Sequence, residues 1–322
     1  MNVLVPRVAG ALLASRKPPE YPVSIERGLP KTKRARHPYL RIIQTERKAT
    51  VNELRGRTAL ITGASRGIGL VVAKALAREG MNVALAARSS EDLNRLATEL
   101  RQLGVRAIAI QTNVEDHVQL NALVDATLRE FGGIDVLVNN AGIEAFRPYH
   151  LIEPADIVQT LNVNLAATLL LTRYVLPHML KAGRGHIVNM ASVAGKFGPA
   201  FGAAYGASKA GMIAFTQSLR GELYKTGVSA SAICPGFAEN GGIYEVIKQR
   251  TGRGTPWYLG STSADAVARA VIKAIRNDRP DMIVNFPALR PVFALCQAFP
   301  RLGEWIVRLT TRKYLKQAAT RD

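Results

Sequence analysis

Short apolar runs alternate with longer amphipathic segments from Arg57 almost to the end of the chain. Runs such as 58–62 (TALIT) have the length of buried strands and are closed by glycine or polar residues. Strands that alternate with helices of about 10–20 residues predict right-handed βαβ units and a parallel sheet covered on both faces. The predicted strands lie near 58–62, 82–88, 106–113, 135–139, 186–190, 228–234 and 282–286. The predicted helices lie near 68–79, 91–103, 116–131, 155–181, 203–225 and 264–276.

The composition is that of a globular protein with ample material for a core. Of 322 residues, 48% are apolar and 21% are charged, which does not indicate disorder. The length permits one or two domains. Cys234 and Cys296 form neither a disulfide framework nor a metal-binding spacing, and the five histidines are scattered. We therefore expect no catalytic metal and a reducing, cytoplasmic location.

The formal charge of +19 is concentrated in two tails. Residues 1–55 carry 12 Lys and Arg against 4 acidic residues, and residues 287–322 carry 7 against 2. We therefore divide the chain into a basic N-terminal extension (1–55), a central domain (56–286) and a basic C-terminal extension (287–322). The charge run 31–36 has the character of a solvated arm. No zinc finger, helix-turn-helix pattern or RNA-binding motif accompanies the charge, so we expect no specific nucleic-acid partner.

A tyrosine and a lysine one helical turn apart, Tyr205 and Lys209, are the first candidates for chemistry. In a helix, residues i and i+4 lie on one face, so the phenol and the ammonium would point into the same space. The ammonium is expected to lower the pKa of the phenol from about 10 towards neutrality, which suits a proton donor or acceptor near pH 7. Taken alone, this spacing also occurs on many solvated helix faces.

A glycine-rich turn, 62–69 (TGASRGIG), joins the first predicted strand to the first predicted helix. Glycines at 63, 67 and 69 let the backbone approach a pyrophosphate, and the helix N-terminus supplies free N–H groups. The spacing is GxxxGxG, which differs from the GxGxxG dinucleotide fingerprint. Its place between a strand and a helix favours cofactor binding over a simple turn.

Four motifs together resemble the short-chain dehydrogenase/reductase family: TGASRGIG at 62–69, NNAG at 139–142, Ser192, and YxxxK at 205–209. They occur in the family's order and spacing, and the resemblance covers residues 56–286. It implies an α/β fold with a Rossmann-like, doubly wound parallel sheet of about seven strands and helices on both faces. It also implies a nicotinamide cofactor, hydride transfer between that cofactor and a carbonyl or alcohol, and a homodimer or homotetramer.

The same resemblance assigns four catalytic residues. Tyr205 matches the general acid/base, and Lys209 matches the residue that lowers the tyrosine pKa and holds the nicotinamide ribose. Ser192 matches the serine that hydrogen-bonds the substrate oxygen, where hydride addition builds negative charge. Asn164 matches the helix asparagine that anchors a water and a proton relay to the lysine, whereas its neighbour Asn162 is expected to be a polar residue on the helix surface.

The cofactor is expected along the carboxyl edge of the sheet, as in doubly wound folds. Asn113-Val114 stands where the family usually has Asp-Val, and no threonine follows Pro235-Gly236 at the family's usual place, which leaves Asn240 as a guess for the nicotinamide side. The predicted cofactor-binding residues are Gly63, Ser65, Arg66, Gly67, Ile68, Gly69, Arg88, Asn113, Val114, Asn140, Ala141, Gly142, Tyr205, Lys209, Pro235 and Gly236.

Two arginines favour NADP(H) over NAD(H). NAD-specific members of the family usually carry an acidic residue at the end of the second strand, but residues 87–89 are Ala-Arg-Ser. Arg88 and Arg66 are both placed to reach a 2′-phosphate, which guanidinium groups bind well. The alternative is that both are ordinary surface arginines.

The segment 237–262 corresponds to the family's variable substrate region, and it is apolar and aromatic. We expect a hydrophobic carbonyl or alcohol substrate, although these residues would equally suit core packing or a subunit contact. The candidates are Phe146, Ala200, Phe201, Phe237, Ile243, Trp257, Tyr258 and Leu259. The rival function is a non-catalytic nucleotide-binding or membrane-recruited scaffold, which the intact catalytic set argues against.

The C-terminal extension is predicted to contain an amphipathic helix. Such a helix can lie on an anionic membrane surface, cover the substrate mouth or pair two subunits. Three prolines and the intervening arginines argue against a membrane-spanning segment, and we favour packing onto the protein itself. The apolar face is Leu302, Trp305, Ile306 and Leu309, and the basic face is Arg301, Arg308 and Arg312.

Overall fold

The computed structural model describes residues 51, 53–144, 146–239, 243–252 and 254–319, all within one compact unit. The strands are β1 (Thr58–Thr62), β2 (Asn82–Ala87), β3 (Ala107–Gln111), β4 (Val136–Asn139), β5 (Gly185–Met190), β6 (Val228–Pro235), β7 (Ala238–Glu239), β8 (Thr262–Ser263) and β9 (Asp281–Val284). The helices are α1 (Gly67–Arg78), α2 (Ser90–Arg101), α3 (His117–Phe131), α4 (Pro154–Leu161), α5 (Ala167–Ala182), α6 (Ala203–Glu222), α7 (Ile243–Thr251), α8 (Ala264–Asn277), α9 (Arg290–Ala298), α10 (Pro300–Leu309) and α11 (Thr311–Ala319).

Seven strands form one parallel sheet in the order β3-β2-β1-β4-β5-β6-β9. The chain builds outwards from β1 to β3 and then returns to the other side of β1 with β4. This reversal is the topological switch point at which doubly wound folds bind ligands. The predicted Rossmann-like α/β sheet is therefore confirmed. A separate parallel pair, β7 with β8, lies between the sixth and seventh strands of this sheet along the chain.

Alternate residues of each central strand enter opposite layers of the core. Ile61 in β1 packs with apolar residues of α1, α2 and α8, whereas its neighbour Leu60 packs with those of α3, α5 and α6. Leu85 and Ala84 in β2 divide in the same way. Both faces of the sheet are covered, so the strands are apolar along their whole length, as the sequence pattern predicts.

The predicted long helix near 155–181 is interrupted at its centre. It consists of α4 and α5 joined by a π-helical turn over Asn162–Ala166, in which the Ala167 N–H donates to the Asn162 carbonyl. The wider turn inserts one residue into the helical repeat. Asn164 lies within this turn and is fully buried. The π turn thus marks the place where a predicted site residue leaves the regular helix.

The third strand ends earlier than predicted, at Gln111. Asn113 begins a turn there, because its Oδ1 accepts from the Glu115 N–H at 3.2 Å and its carbonyl accepts from the Asp116 N–H at 3.1 Å. Asp116 then caps α3 through the Val118 N–H at 2.9 Å. The side chain of Asn113 is therefore held at the carboxyl edge of the sheet.

The C-terminal helices α9, α10 and α11 pack onto the domain with one face. Cys296 and Gly303 are buried, whereas Trp305 and Leu309 are 58% and 53% exposed. The predicted apolar face is therefore divided between packing and solvent. Within the described residues, no helix has both the length and the apolar character that crossing a membrane requires. At the other end, Val51 and Leu54 are buried in the core, and residues 1–50, with the charge run 31–36, lie outside the described residues.

Candidate functional site

Tyr205 and Lys209 lie one turn apart near the start of α6, and both side chains are buried. The Lys209 Nζ lies 5.8 Å from the centre of the Tyr205 ring and donates a hydrogen bond of 2.8 Å to the Met190 carbonyl, at the end of β5. Gly195 packs directly on the backbone of Lys209, where an added Cβ would lie 2.6 Å from its carbonyl oxygen. The two side chains therefore share one space, as the helical spacing predicts.

The pKa of Tyr205 is raised to about 12, which is opposite to the direction expected from the sequence. Burial of the phenol is the largest cause, hydrogen bonding by Ser192 opposes part of the rise, and the nearby charge of Glu144 adds to it. Burial also lowers the pKa of Lys209 to about 8. The attraction between an ammonium and a phenolate favours a lower phenol pKa, but the cost of removing the phenolate from water is larger.

Ser192 follows β5 and faces the end of β6. Its Oγ accepts a hydrogen bond from the Ala194 N–H at 3.1 Å and donates one to the Pro235 carbonyl at 3.4 Å. It caps a short 3-10 turn, 193–195, and is buried. The serine, the end of β6 and Tyr205 are thereby brought to one place at the carboxyl edge.

Asn164 links the loop after β4 to α6. Its Oδ1 accepts from the Ile143 N–H at 2.8 Å, while its Nδ2 donates to the Ile143 carbonyl at 2.9 Å and to the Ser208 Oγ at 3.0 Å. Ser208 in turn donates to the Tyr205 carbonyl at 2.7 Å. Both amide hydrogens of Asn164 are therefore used in holding backbone and helix together.

The glycine turn and the loop after β4 are held together by Thr62. The Thr62 Oγ1 accepts from the N–H groups of Asn140 and Ala141 at 3.0 and 3.1 Å, and the Asn140 Nδ2 donates to the Gly63 carbonyl at 3.1 Å. Gly63 has φ +65°, and a Cβ there would lie 2.9 Å from the Ala141 Cα. Gly69 leaves no room for a Cβ against the Gly63 carbonyl. The glycines thus allow a close backbone contact that any side chain would prevent.

The predicted site residues that follow strands lie at the same edge of the sheet, because parallel strands end together. Residues 63–69 follow β1, Arg88 follows β2, and Ser192 follows β5. Asn113 and Val114 follow β3, Asn140, Ala141 and Gly142 follow β4, and Pro235 and Gly236 lie at the end of β6. Asn240 lies outside the described residues.

Arg66 and Arg88, on which the NADP(H) prediction rests, are both exposed at this edge. Arg66 is the N-cap residue of α1 but makes no side-chain capping bond. Among the described residues, neither the Arg66 nor the Arg88 guanidinium has an ion-pair or hydrogen-bond partner. Both side chains are therefore available to an anion.

An apolar cluster surrounds the ring of Tyr205. Phe146 lies 5.7 Å from it between ring centres, and Phe201, Phe237 and Leu259 belong to the same cluster. Two of the other substrate candidates lie elsewhere: Trp257 is 84% exposed and stacks edge-on with Tyr258, which is also exposed. The side chain of Ile243 lies outside the described residues. Part of the predicted substrate region therefore gathers around Tyr205.

Three residues of the site are not marked out by the sequence reasoning. Ser208 links Asn164 to α6, Thr62 holds the loop after β4, and Glu144 raises the pKa of Tyr205. Ser208 lies inside the YxxxK motif and Thr62 is the first residue of the glycine motif, so their positions in the sequence could have identified them as site residues. Glu144 follows the NNAG motif by two positions and has no such signal.

The remaining candidates for chemistry do not form a second centre. In the described part of the chain, no three His, Cys, Asp or Glu side chains gather as a metal ion would require. Cys234 is buried, and burial raises the pKa of its thiol, so it is not an activated nucleophile. The cysteine therefore acts as a packed residue beneath the site.

Comparisons with known proteins place this chain in a family. A family model described as short chain dehydrogenase matches residues 57–249. The ketoacyl reductase HetN of Nostoc sp. is 43% identical over 232 residues, which is 72% of this chain and 79% of the relative. The range 57–249 matched by the family model contains Asn164, Ser192, Tyr205 and Lys209.

Two solved structures share the fold at 33% and 27% sequence identity. A metagenomic short-chain oxidoreductase in complex with NADP superposes with a TM-score of 0.62 and covers 72% of this chain and 97% of its own. An NAD+-bound xylitol dehydrogenase superposes with a TM-score of 0.66 and covers 72% of this chain and 99% of its own. Both carry a nicotinamide dinucleotide.

Proposed function

The chain belongs to the short-chain dehydrogenase family and is an oxidoreductase of carbonyl and alcohol groups, and on this premise we propose that it uses NADPH to reduce an apolar ketone. The observation that carries the proposal is the buried group of Tyr205, Lys209 and Ser192 beside the glycine turn. A scaffold that only binds nucleotide has no need of a buried ammonium one turn from a buried phenol. The scaffold function is therefore the weaker candidate.

The residues at the switch point suit a dinucleotide. Gly63 has no room for a Cβ against Ala141 and Gly69 has none against the Gly63 carbonyl, so the turn packs closely at the start of α1, whose first turn has no acidic residue. Gly142 is exposed, and a Cβ there would lie 3.5 Å from the Lys209 Nζ. We place the pyrophosphate over the turn and the nicotinamide ribose beside Lys209. Arg88, Asn113 and Val114 would border the adenosine half.

Tyr205 acts as the proton donor in this proposal. The nicotinamide, when bound, supplies the hydride. A phenol whose pKa is near 12 is protonated at neutral pH, which is the form that carbonyl reduction needs. The Ser192 hydroxyl would hydrogen-bond the substrate oxygen as negative charge develops there. Lys209 would hold its ammonium close to the tyrosine, and Asn164 would keep the loop and the helix in register for a proton relay.

The choice of NADP(H) over NAD(H) rests on Arg66 and Arg88. Both guanidiniums are exposed at the edge where the adenosine ribose would lie, and no carboxylate stands at the end of β2. A guanidinium binds a phosphate through paired hydrogen bonds, whereas the 2′-hydroxyl of NAD(H) is best held by an acid. This arrangement supports the phosphorylated cofactor.

The substrate is proposed to carry its ketone beside a hydrocarbon group. The cluster at Tyr205 is built of Phe146, Phe201, Phe237 and Leu259, and such a surface binds apolar groups. The ketoacyl reductase of Nostoc supports a 3-oxoacyl thioester as the first class to test. A charged group placed in this cluster would lose its hydration without gaining a partner.

A homodimer or homotetramer is proposed from the exposed apolar side chains of α4 and α5. Val158, Leu169 and Leu170 are all exposed on these neighbouring helices. Burying them against a second copy would remove apolar surface from water. Light scattering during gel filtration tests this, and a monomer at micromolar concentration would contradict it.

Peripheral membrane contact is a second role proposed for the outer face of α10. Trp305 and Leu309 are exposed there, with Arg301 and Arg312 nearby, which is the pattern of helices that lie on anionic bilayers. The protein would otherwise be cytoplasmic, in keeping with the buried free thiols of Cys234 and Cys296. Flotation with anionic liposomes decides this, and protein left at the bottom of the gradient excludes membrane contact.

The experiment that tests the main proposal is steady-state reduction of 3-oxoacyl thioesters and alkyl ketones with each cofactor. We expect turnover with a lower Michaelis constant for NADPH than for NADH. A lower constant for NADH would contradict the cofactor assignment, and no oxidation of either cofactor with any apolar ketone would contradict the reaction.

A further inference from the structure

The last helix among the described residues, α11, packs into the apolar cluster that surrounds Tyr205. Leu315 is fully buried and Tyr314 is 6% exposed, and both belong to the apolar cluster that contains Tyr205 and Phe146. The family model ends at residue 249, so this helix lies outside the part of the chain that the family pattern describes. A segment that follows the matched family region therefore contributes to the apolar cluster around Tyr205.

The contacts of α11 are with the segment that follows β6. The ring of Tyr314 meets the ring of Phe237 edge-on, with centres 5.7 Å apart and planes at 83°. The helix also packs against α7, whose Ile247 is buried in the same cluster. The helix is thus held against the region where the family varies to suit its substrates.

A second contact fixes the extension to the loop that follows Ser192. Gly303 of α10 packs so closely on this loop that a Cβ there would lie 2.8 Å from the Phe197 Cζ and 3.0 Å from the Cys296 Cβ. Cys296 of α9 is itself buried. The C-terminal extension therefore contacts the loop after Ser192 through α10 and the segment after β6 through α11. These two contacts together position α11.

We propose that α11 forms the outer wall of the substrate site, with Tyr314 and Leu315 setting the size of the hydrocarbon group that fits beside the ketone. This inference rests on the proposed function. A substrate that brings its carbonyl to the Tyr205 hydroxyl must place its flanking group in the apolar cluster, since Tyr205 is part of that cluster. Leu315 is the most deeply buried member that α11 contributes to this cluster, so its side chain limits the volume left for such a group.

The chemistry of the wall selects an uncharged chain or ring. The cluster is aromatic and aliphatic, and the nearby charge of Glu144 is negative, so a free carboxylate on the substrate would be repelled. Pockets of this kind discriminate by volume, and one methylene group too many or too few changes binding about 10–200-fold. Shortening Leu315 should therefore change which chain length binds best.

The test compares binding of 3-oxobutanoyl, 3-oxooctanoyl and 3-oxododecanoyl thioesters of N-acetylcysteamine to the NADP+-loaded protein. With oxidised cofactor and oxidised substrate no turnover occurs, so the dissociation constants are independent of the reaction. We expect Leu315→Ala to shift the ratio of long-chain to short-chain affinity by about tenfold towards the longer chain. The matched control is Leu309→Ala, which removes the same atoms from an exposed leucine of α10.

Tyr314→Leu provides a second variant in case Leu315→Ala fails to fold, as thermal unfolding would reveal. It removes the ring from the same wall while keeping an apolar side chain, and the same shift towards longer chains is expected. An unchanged affinity ratio in every folded wall variant would overturn the inference. NADPH oxidation by the wild type with the same thioesters is measured in parallel, and its absence would contradict the proposed function while the binding ratio still decides the role of α11.

Discussion

The Lys209 Nζ donates a hydrogen bond of 2.8 Å to the Met190 carbonyl while lying 5.8 Å from the centre of the Tyr205 ring. The lysine is therefore anchored to the sheet, and its ammonium is held beside the phenol by α6 and by β5 together. Burial lowers the pKa of this ammonium to about 8. Its charge consequently changes within the pH range in which the enzyme can be assayed.

The rate of ketone reduction should fall as the pH rises through about 8. Below that pH Lys209 is charged and Tyr205 is protonated, which are the forms that reduction needs. Above it, loss of the ammonium should lower kcat/KM by about tenfold per pH unit, since the charged form alone is productive. The measurement is kcat/KM for a ketone between pH 6 and pH 10.

Lys209→Met provides the matching control for this profile. The variant keeps an unbranched apolar side chain of similar length but has no charge to lose, so its low activity should show no inflection near pH 8. An inflection that persists unchanged in Lys209→Met would assign it to another group.

Arg66→Ala and Arg88→Ala should each raise the Michaelis constant for NADPH while leaving that for NADH unchanged. A hydrogen bond to a charged phosphate contributes about 1.5–3 kcal/mol, which corresponds to about 10–100-fold in affinity. Arg78→Ala is the control, because Arg78 is exposed at the opposite end of α1. Equal changes in the Michaelis constants for NADPH and NADH would show that the arginines do not bind the 2′-phosphate.

Asn164→Ala should destabilise the protein and lower kcat together. It leaves the Ile143 N–H and carbonyl without their partners at 2.8 and 2.9 Å, and each unsatisfied buried group costs about 1–3 kcal/mol. Denaturant unfolding with NADPH turnover measures both effects. Asn162→Ala is the control in the same π turn. If Asn164→Ala matched that control in stability, the hydrogen bonds to Ile143 would not hold the loop.

Acid should destabilise the fold through His186, a buried residue of β5. Its Nε2 donates to the Ser231 Oγ at 2.8 Å, because the Ser231 hydroxyl itself donates to the Arg279 carbonyl. Burial lowers the pKa of His186 to about 4, so between pH 6.5 and pH 4 the unfolded chain binds a proton that the folded chain does not. Stability is therefore lost as the pH falls.

The expected loss from His186 is about 2 kcal/mol between pH 7 and pH 5. Urea unfolding at the two pH values measures it, and His186→Gln should remove this part of the pH dependence. His150→Gln, at an exposed position, is the control and should leave the pH dependence unchanged. The same pH dependence in wild type and His186→Gln would contradict the assignment.

Much of the fold follows from patterns that depend on local order in the chain. Alternation of apolar strands and amphipathic helices predicts the parallel sheet, and the carboxyl edge gathers Ser192, Tyr205 and Arg88 because parallel strands end on the same side. The π turn at Asn162–Ala166 was not predictable, since its residues continue the helical pattern without proline or glycine.

Properties that depend on burial in the tertiary structure could not be predicted from the sequence pattern. The pKa of Tyr205 depends on how far the phenol is removed from water, and the pattern of residues around 205–209 does not reveal that. Likewise, Trp257 is a large aromatic residue of the kind that lines pockets, but it is exposed to solvent. Tyr314, more than a hundred residues from Tyr205 in the chain, packs in the apolar cluster around Tyr205. Packing between residues far apart in the chain determines the positions of both side chains.

The most direct test of the account is the Tyr205→Phe variant, which removes one oxygen atom from a buried ring. NADPH oxidation with an apolar ketone should fall by about 10²–10⁴-fold, since the proton donor is gone. NADPH binding, measured by the change in its fluorescence, should stay within about twofold of the wild type, because the turn at 63–69 and both arginines are intact. Turnover equal to that of the wild type would show that Tyr205 does not donate the proton.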